Sequence, residues 1–205
     1  MNQIDKLTEI FKHFPGIGPR QAKRFVYFLL TRPKSYLREF VDSIEKLQGE
    51  IQICSECFQY FTKDKQENKI CEICRSKNRD ENVLMIVARD IDLENIEKSH
   101  SFNGKYFVLG GTIPILEKNP ENRIHLKELL SAIESKAKNN LKEIILGFSL
   151  NPESENTSQF IIQALTPLIT KYHLKISHLG RGLSTGTELE YSDSDTIKSA
   201  LENRK

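Results

Sequence analysis

All four cysteines of this 205-residue chain fall between positions 54 and 74, as Cys54-x2-Cys57 and Cys71-x2-Cys74 with thirteen residues between the pairs. Each CxxC offers two thiolates from one tight knuckle, and two knuckles complete a tetrahedron around a d¹⁰ ion. Four protein ligands leave no open coordination position, so the spacing predicts a structural site holding one zinc ion per chain. The alternatives, four reduced core thiols or a redox pair, fit less well with so polar a stretch. Residues 51–80 hold too little apolar material to make a core unaided, and bound metal would supply the missing folding energy.

The N-terminus, Met1-Asn2-Gln3-Ile4-Asp5-Lys6, lacks a charged-then-apolar secretory pattern. No apolar run approaches the ~20 residues a bilayer needs. We therefore expect a soluble cytoplasmic protein, where clustered cysteines point to metal before disulfides.

Thirty basic and 28 acidic residues nearly cancel, but they are unevenly placed. Between Ile10 and Arg38 there is no Asp or Glu, while Lys12, Arg20, Lys23, Arg24, Arg32, Lys34 and Arg38 give seven positive charges. Such a patch can bind polyanions even when the whole molecule is close to neutral. Within it lies Pro15-Gly16-Ile17-Gly18-Pro19-Arg20. Ile4, Leu7, Phe11 and Phe14 before it follow the spacing of one buried helix face. After it a second helix starts at Pro19, whose missing N–H is no loss there. Its stripe Ala22, Phe25, Val26 and Leu29 packs inward, and Arg20, Lys23, Arg24 and Tyr27 face out. A third helix, with Leu37, Phe40, Val41, Ile44 and Leu47 on one face, is expected to close this unit.

The turn resembles the helix-hairpin-helix motif, whose glycines let backbone N–H groups approach a phosphate while the helix N-terminus adds partial positive charge. The candidate DNA-binding residues are Gly16, Gly18, Arg20, Lys23 and Arg24. Contacts of this kind grip the backbone and leave the bases unread, so binding should be sequence-nonspecific and salt-sensitive. The bland alternative is an ordinary tight turn joining two core helices.

From about residue 81 apolar runs alternate with helical patterns. Val83–Val87, Tyr106–Leu109, Ile144–Leu146 and Leu174–Ile176 read as strands. Helices are expected over Asp92–Glu97, around Leu126–Ile133 and over Phe160–Ile169, with Glu153 and Glu155 in a loop. This alternation implies right-handed crossovers and a mainly parallel sheet. A loop over Arg181–Gly186 and a last helix follow, with Ser192 and Asp195 patterned like a capping box. The fold class is therefore α+β in several parts. We divide it into a helix-hairpin-helix unit (1–50), a four-cysteine zinc finger (51–80), an α/β domain (81–178) and a C-terminal loop and helix (179–205).

The α/β pattern resembles the Toprim domain. Active Toprim members carry a glutamate at the end of the first strand and an Asp-x-Asp after the third. Here the first position is Ala88, and the third strand runs into Gly147-Phe148-Ser149-Leu150-Asn151 without an Asp-x-Asp. Asp90 and Asp92 lie just beyond Ala88 and read as a solvated loop and helix cap. A metal-dependent Toprim nuclease or nucleotidyl transferase is thus the alternative function, with its best-placed carboxylate missing. The five histidines form no HxxxH or HxH pair.

In this order the motifs resemble the RecR family of recombination mediators over essentially the whole chain. Val108-Leu109-Gly110-Gly111 is similar to that family's VLGG, and Glu153-Ser154-Glu155-Asn156-Thr157 to its EGEAT. Arg181-Gly182-Leu183, Gly186 and Leu189-Glu190-Tyr191 are similar to its RGLPxGxxLEY. The chain departs from the family pattern at Ala88, at Thr112-Ile113-Pro114 and at the loop before Glu153. The resemblance implies a non-enzymatic protein of DNA damage repair and recombination. It further implies ring-like tetramers formed through N- and C-terminal contacts, with a swapped C-terminal tail. Such proteins hold DNA and act with RecO, often with RecF, to help load RecA at gapped DNA.

Overall fold

In the computed structural model, which describes residues 2–63, 68–180, 183, 186 and 188–202, Asn2 starts the first helix. Its side chain accepts the Asp5 amide at 2.9 Å, satisfying a donor that a first helical turn leaves unpaired. Helix α1 (Gln3–Lys12) follows. A turn then leads to α2 (Pro19–Leu30), with Pro19 at its first position. The two pack through Phe11, Ala22 and Val26, flanked by Ile4, Leu7, Ile17, Phe25 and Leu29. The stripe expected of α2 is therefore its buried face.

Helix α3 (Lys34–Glu50) forms where its periodicity places it but buries no residue. Phe40, Val41, Ile44 and Leu47 are 38%, 51%, 51% and 61% exposed, so the stripe does not close the unit as expected. A two-helix core with three buried side chains offers too little apolar surface to cover a 17-residue helix.

Residues 1–51 and 52–205 form two compact units. Ile51, the last residue of the first unit, begins a short hairpin, β1 (Ile51–Ile53) and β2 (Tyr60–Thr62), and a single helical turn, α4 (Glu72–Arg75), follows it. Then comes a four-stranded sheet: β3 (Asp80–Val87), β4 (Gly104–Val108), β5 (Glu143–Gly147) and β6 (Lys175–His178), in the order β4-β3-β5-β6. All three pairings are parallel. The crossovers are α5 (Asp90–Ser99), α6 (Leu126–Ala137) and α7 (Pro152–Tyr172). Alternation along the strands sends Leu84, Ile86, Phe107, Leu109, Ile144 and Leu146 into one core with residues of α6 and α7. Met85, Val87, Tyr106 and Val108 form another with Leu93 of α5. A sheet covered on both faces explains the near-continuous apolar runs.

Two expectations are corrected. Helix α7 begins at Pro152 and not near Phe160, because Asn151 accepts the Ser154 amide at 2.9 Å and Pro152 occupies the first position. Glu153 and Glu155 thus sit in a first helical turn, where the dipole favours acids. The polar run hid this helix because its inward face is itself polar, with Ser154, Thr157 and Ser158 buried. Helix α8 (Ser194–Glu202) takes Asp193, not Ser192, as its cap: the Asp193 carboxylate accepts the Thr196 amide at 2.9 Å and its hydroxyl at 2.7 Å. Of the loop expected over 181–186, Arg181, Gly182, Ser184 and Thr185 lie outside the described residues. Among the described residues no helix is long and apolar enough to cross a membrane.

Candidate metal centre and nucleic-acid interface

Cys54 follows β1, and its amide donates to the Gln59 carbonyl at 2.9 Å while its carbonyl accepts from Phe58 at 3.0 Å. That tight turn, with Phe58 in the left-handed region at φ 63°, carries Cys57 back beside Cys54. The second knuckle is formed by α4, which Cys71 caps by accepting the Cys74 amide on its sulfur at 3.4 Å. The Cys71 amide in turn donates to the Cys54 sulfur at 3.4 Å. All four sulfurs lie within 4.8 Å of one another, and those of Cys57 and Cys71 are 3.6 Å apart. A tetrahedral Zn–S bond of about 2.3 Å sets its sulfurs about 3.8 Å apart, so the donor set fits the ion. Cys54, Cys57 and Cys71 are buried. Hydrogen bonding from the Cys57 side chain, then from Cys71 and Cys74, pulls the Cys54 thiol below its ordinary value. The same sharing with Cys54 pushes Cys57 and Cys74 above theirs. Four sulfurs this close need a cation before all can be thiolates, and the cluster can hold a metal ion.

The centre is fastened to the sheet. The Cys57 carbonyl accepts the Val108 amide of β4 at 2.8 Å. The Phe58 ring lies 5.3 Å from that of Phe107 and 4.8 Å from that of His125, and His125 Nδ1 is 3.2 Å from the Val108 carbonyl. Tyr60 donates its amide to the Asp90 carboxylate at 2.7 Å. Asp90, expected in a solvated loop, therefore anchors the hairpin. Asp92 behaves as the expected helix cap, accepting the Arg89 amide at 3.0 Å. The sequence reading missed Lys105. This β4 lysine is 5% exposed, and its ammonium donates to the carbonyls of Ile73, Cys74 and Ser76 at 3.1, 2.8 and 2.9 Å. The signal was present as a lone lysine opening an otherwise apolar strand.

In the first unit, Gly16 takes φ +75°, a conformation L side chains rarely adopt. Gly18 is extended and caps α2 without a side-chain hydrogen bond, leaving the Arg20 and Gln21 amides of the first turn without an intrahelical acceptor. A Cβ at Gly18 would meet nothing within 4 Å, so this approach to the helix end is open. Arg20, Lys23 and Arg24 are exposed on α2 beside it. Arg24 meets Gln21 at 3.3 Å, and among the described residues none of the three has a carboxylate partner. The positive patch is less uniform than the sequence implied. Lys12 pairs with Glu9 at 2.9 Å, one residue outside the acid-free stretch, and Arg32 lies 4.0 Å over the Phe28 ring.

At the C-terminal end of the sheet, Ala88 is buried. The strings around Gly110 and Glu153 meet there. Thr157 accepts the Ile113 amide at 2.8 Å, Asn156 donates to the Ile113 carbonyl at 3.0 Å, and Thr112 donates to Glu153 at 3.2 Å. Among the described residues, the cysteines are the group of His, Cys, Asp or Glu side chains whose ligand atoms converge as a metal would require.

Comparison with known proteins agrees in the same order. The family model described as "RecR, helix-hairpin-helix" matches residues 4–47, "Toprim domain" matches 82–180 and "RecR, C-terminal" matches 182–205. A protein of Prochlorococcus marinus subsp. pastoris named Recombination protein RecR is 36% identical over 202 residues, covering 98% of this chain and 94% of its own. One of the same name from a Cyanothece species is 33% identical, covering 98% and 95%.

Proposed function

Because this chain belongs to the RecR family, we propose that it is a non-enzymatic, cytoplasmic DNA-binding mediator of recombinational repair. It acts with RecO, and with RecF where that protein takes part, to promote RecA loading at gapped DNA. The observation that carries this reading is the open, glycine-hinged end of α2. There two first-turn amides without an intrahelical acceptor lie beside the exposed cations Arg20, Lys23 and Arg24, the arrangement that receives a phosphate.

The absence of enzymatic activity is supported by how the acids are used. Ala88 stands where active Toprim domains have a glutamate, Asp90 holds the hairpin and Asp92 caps a helix. Glu153 receives the Thr112 hydroxyl. Cys54, Cys57, Cys71 and Cys74 would hold one zinc ion, which closes the two knuckles and has no free coordination position. A homo-oligomer, a tetramer by family resemblance, is supported by the bare apolar face of α3, which a second copy would cover.

The test is a gel shift at matched salt with Lys23→Glu/Arg24→Glu. Its binding to duplex and single-stranded DNA should be lost while circular dichroism and zinc content stay as in the unaltered protein; undiminished binding would remove the hairpin from the DNA contact. Incubation of the unaltered protein with Mg²⁺ or Mn²⁺ and labelled DNA should leave the strands intact. Cleavage abolished by Glu153→Ala or Asp92→Ala would establish the nuclease instead.

A further inference from the structure

The most unusual buried group outside the cysteines is Lys105. It lies in β4, whose five residues are all buried, and a cation so placed is costly unless paired and fully hydrogen-bonded. Its three ammonium protons are matched one to one by the carbonyls of Ile73, Cys74 and Ser76. No carboxylate is in ion-pair contact with it among the described residues, and carbonyl dipoles solvate the charge. Two of those carbonyls lie in α4, the turn that presents Cys71 and Cys74, and the third belongs to its C-cap. Carbonyls at a helical C-terminus carry the negative end of the backbone dipole and attract a cation.

We propose that Lys105 is a positioning residue and the counter-charge for the four-cysteine centre, an inference that rests on the metal reading above. A divalent ion with four thiolates has net charge −2, and burying that charge is unfavourable without a compensating cation. Lys105 supplies a positive charge from the sheet. It also clamps the backbone that aims the second pair of sulfurs, as groups behind a metal's ligands do elsewhere. The relation runs both ways. If the second knuckle opened, the ammonium would lose its three acceptors inside the sheet edge, so the lysine and the centre each need the other.

The experiment uses the full-length protein with Lys105→Met, of similar length and uncharged, and Lys105→Arg, which keeps the charge. Zinc is titrated against a chromogenic chelator, and Co²⁺ spectra report whether four sulfurs still coordinate. We expect Lys105→Met to keep the four-sulfur Co²⁺ spectrum while binding zinc about 10-fold or more weakly. Lys105→Arg should recover most of that loss. Melting should show the metal-dependent rise in midpoint shrinking in Lys105→Met, whereas a purely structural lysine would lower apo and loaded forms equally. Should Lys105→Met fail to fold, Lys105→Gln provides the same comparison. Zinc affinity within twofold of the unaltered protein would overturn the proposal, as would an arginine variant as weak as the methionine one. If the unaltered protein itself binds neither zinc nor cobalt, it is the metal reading that fails, and the two failures are told apart.

Discussion

The Val108 amide donates to the Cys57 carbonyl across 2.8 Å, so an edge strand of the sheet ends on the backbone of a cysteine knuckle. With the Asp90–Tyr60 contact and the Phe58 ring against Phe107, it makes the knuckles part of the sheet's own edge. Strand edges left open invite wrong pairing, and here the knuckle covers one.

Stripping metal should therefore loosen more than residues 51–80. We expect Cys71→Ser, or exhaustive chelation under reducing conditions, to lower the melting midpoint of the second unit by several degrees or more. Hydrogen exchange should show faster exchange at Val108 and in the first turn of α5. Exchange in α1 and α2, which lie in the other compact unit, should be unaltered.

The two hairpin glycines should separate folding from binding. Gly16→Ala forces a side chain into φ +75° and should cost roughly 1–2 kcal/mol in urea denaturation. Gly18→Ala has room for its Cβ and should cost less than about 1 kcal/mol. On the proposed reading that methyl group would stand in the path of a phosphate, so DNA affinity in a gel shift should fall clearly while stability hardly moves.

Acid sensitivity should trace partly to Glu97. The Arg79 guanidinium bonded to it holds its carboxyl below the usual carboxylate range, and the Tyr106 hydroxyl also donates to it, at 2.6 Å. A carboxylate with a depressed folded-state pKa stabilises the protein above its unfolded pKa, and that stability is lost as pH falls through the folded value. The loss should begin near pH 4, where a free glutamate takes up a proton, and deepen below it. Denaturation midpoints against pH should fall less steeply on the acid side in Glu97→Gln. Equal slopes would remove Glu97 from the effect.

Thr157, fully buried, ties α7 to the chain after β4 by accepting the Ile113 amide at 2.8 Å and donating to the Glu153 carbonyl at 2.7 Å. Thr157→Val preserves shape but strands that amide. It should cost about 1–3 kcal/mol, read as a shift in urea midpoint with unchanged slope.

Much of this molecule was legible as sequence. Cysteine spacing located the knuckles, Pro15–Pro19 located the hairpin, and apolar runs located four strands, because each rests on short-range chemistry. Helix α7 escaped because its first two turns bury Ser154, Thr157 and Ser158, and a periodicity of apolar residues cannot register a polar inward face. The partners of Lys105 and Asp90 escaped for another reason. Lys105 reaches carbonyls about thirty positions earlier, and Asp90 meets Tyr60 at a separation of 30, distances at which no local pattern speaks. The bare face of α3 reads in sequence like any packed one, since amphipathicity records a preference for cover and not what provides it.

Asp90 also bears on how such a chain can change. Asp90, one of two aspartates in the first turn of α5, is a fastener that holds the Tyr60 amide through one carboxylate oxygen. A variant recruiting it as a metal ligand would have to loosen the hairpin that carries the first cysteine pair. Holding the hairpin and ligating an ion therefore draw on the same carboxylate, and a change of use would take concerted changes rather than one.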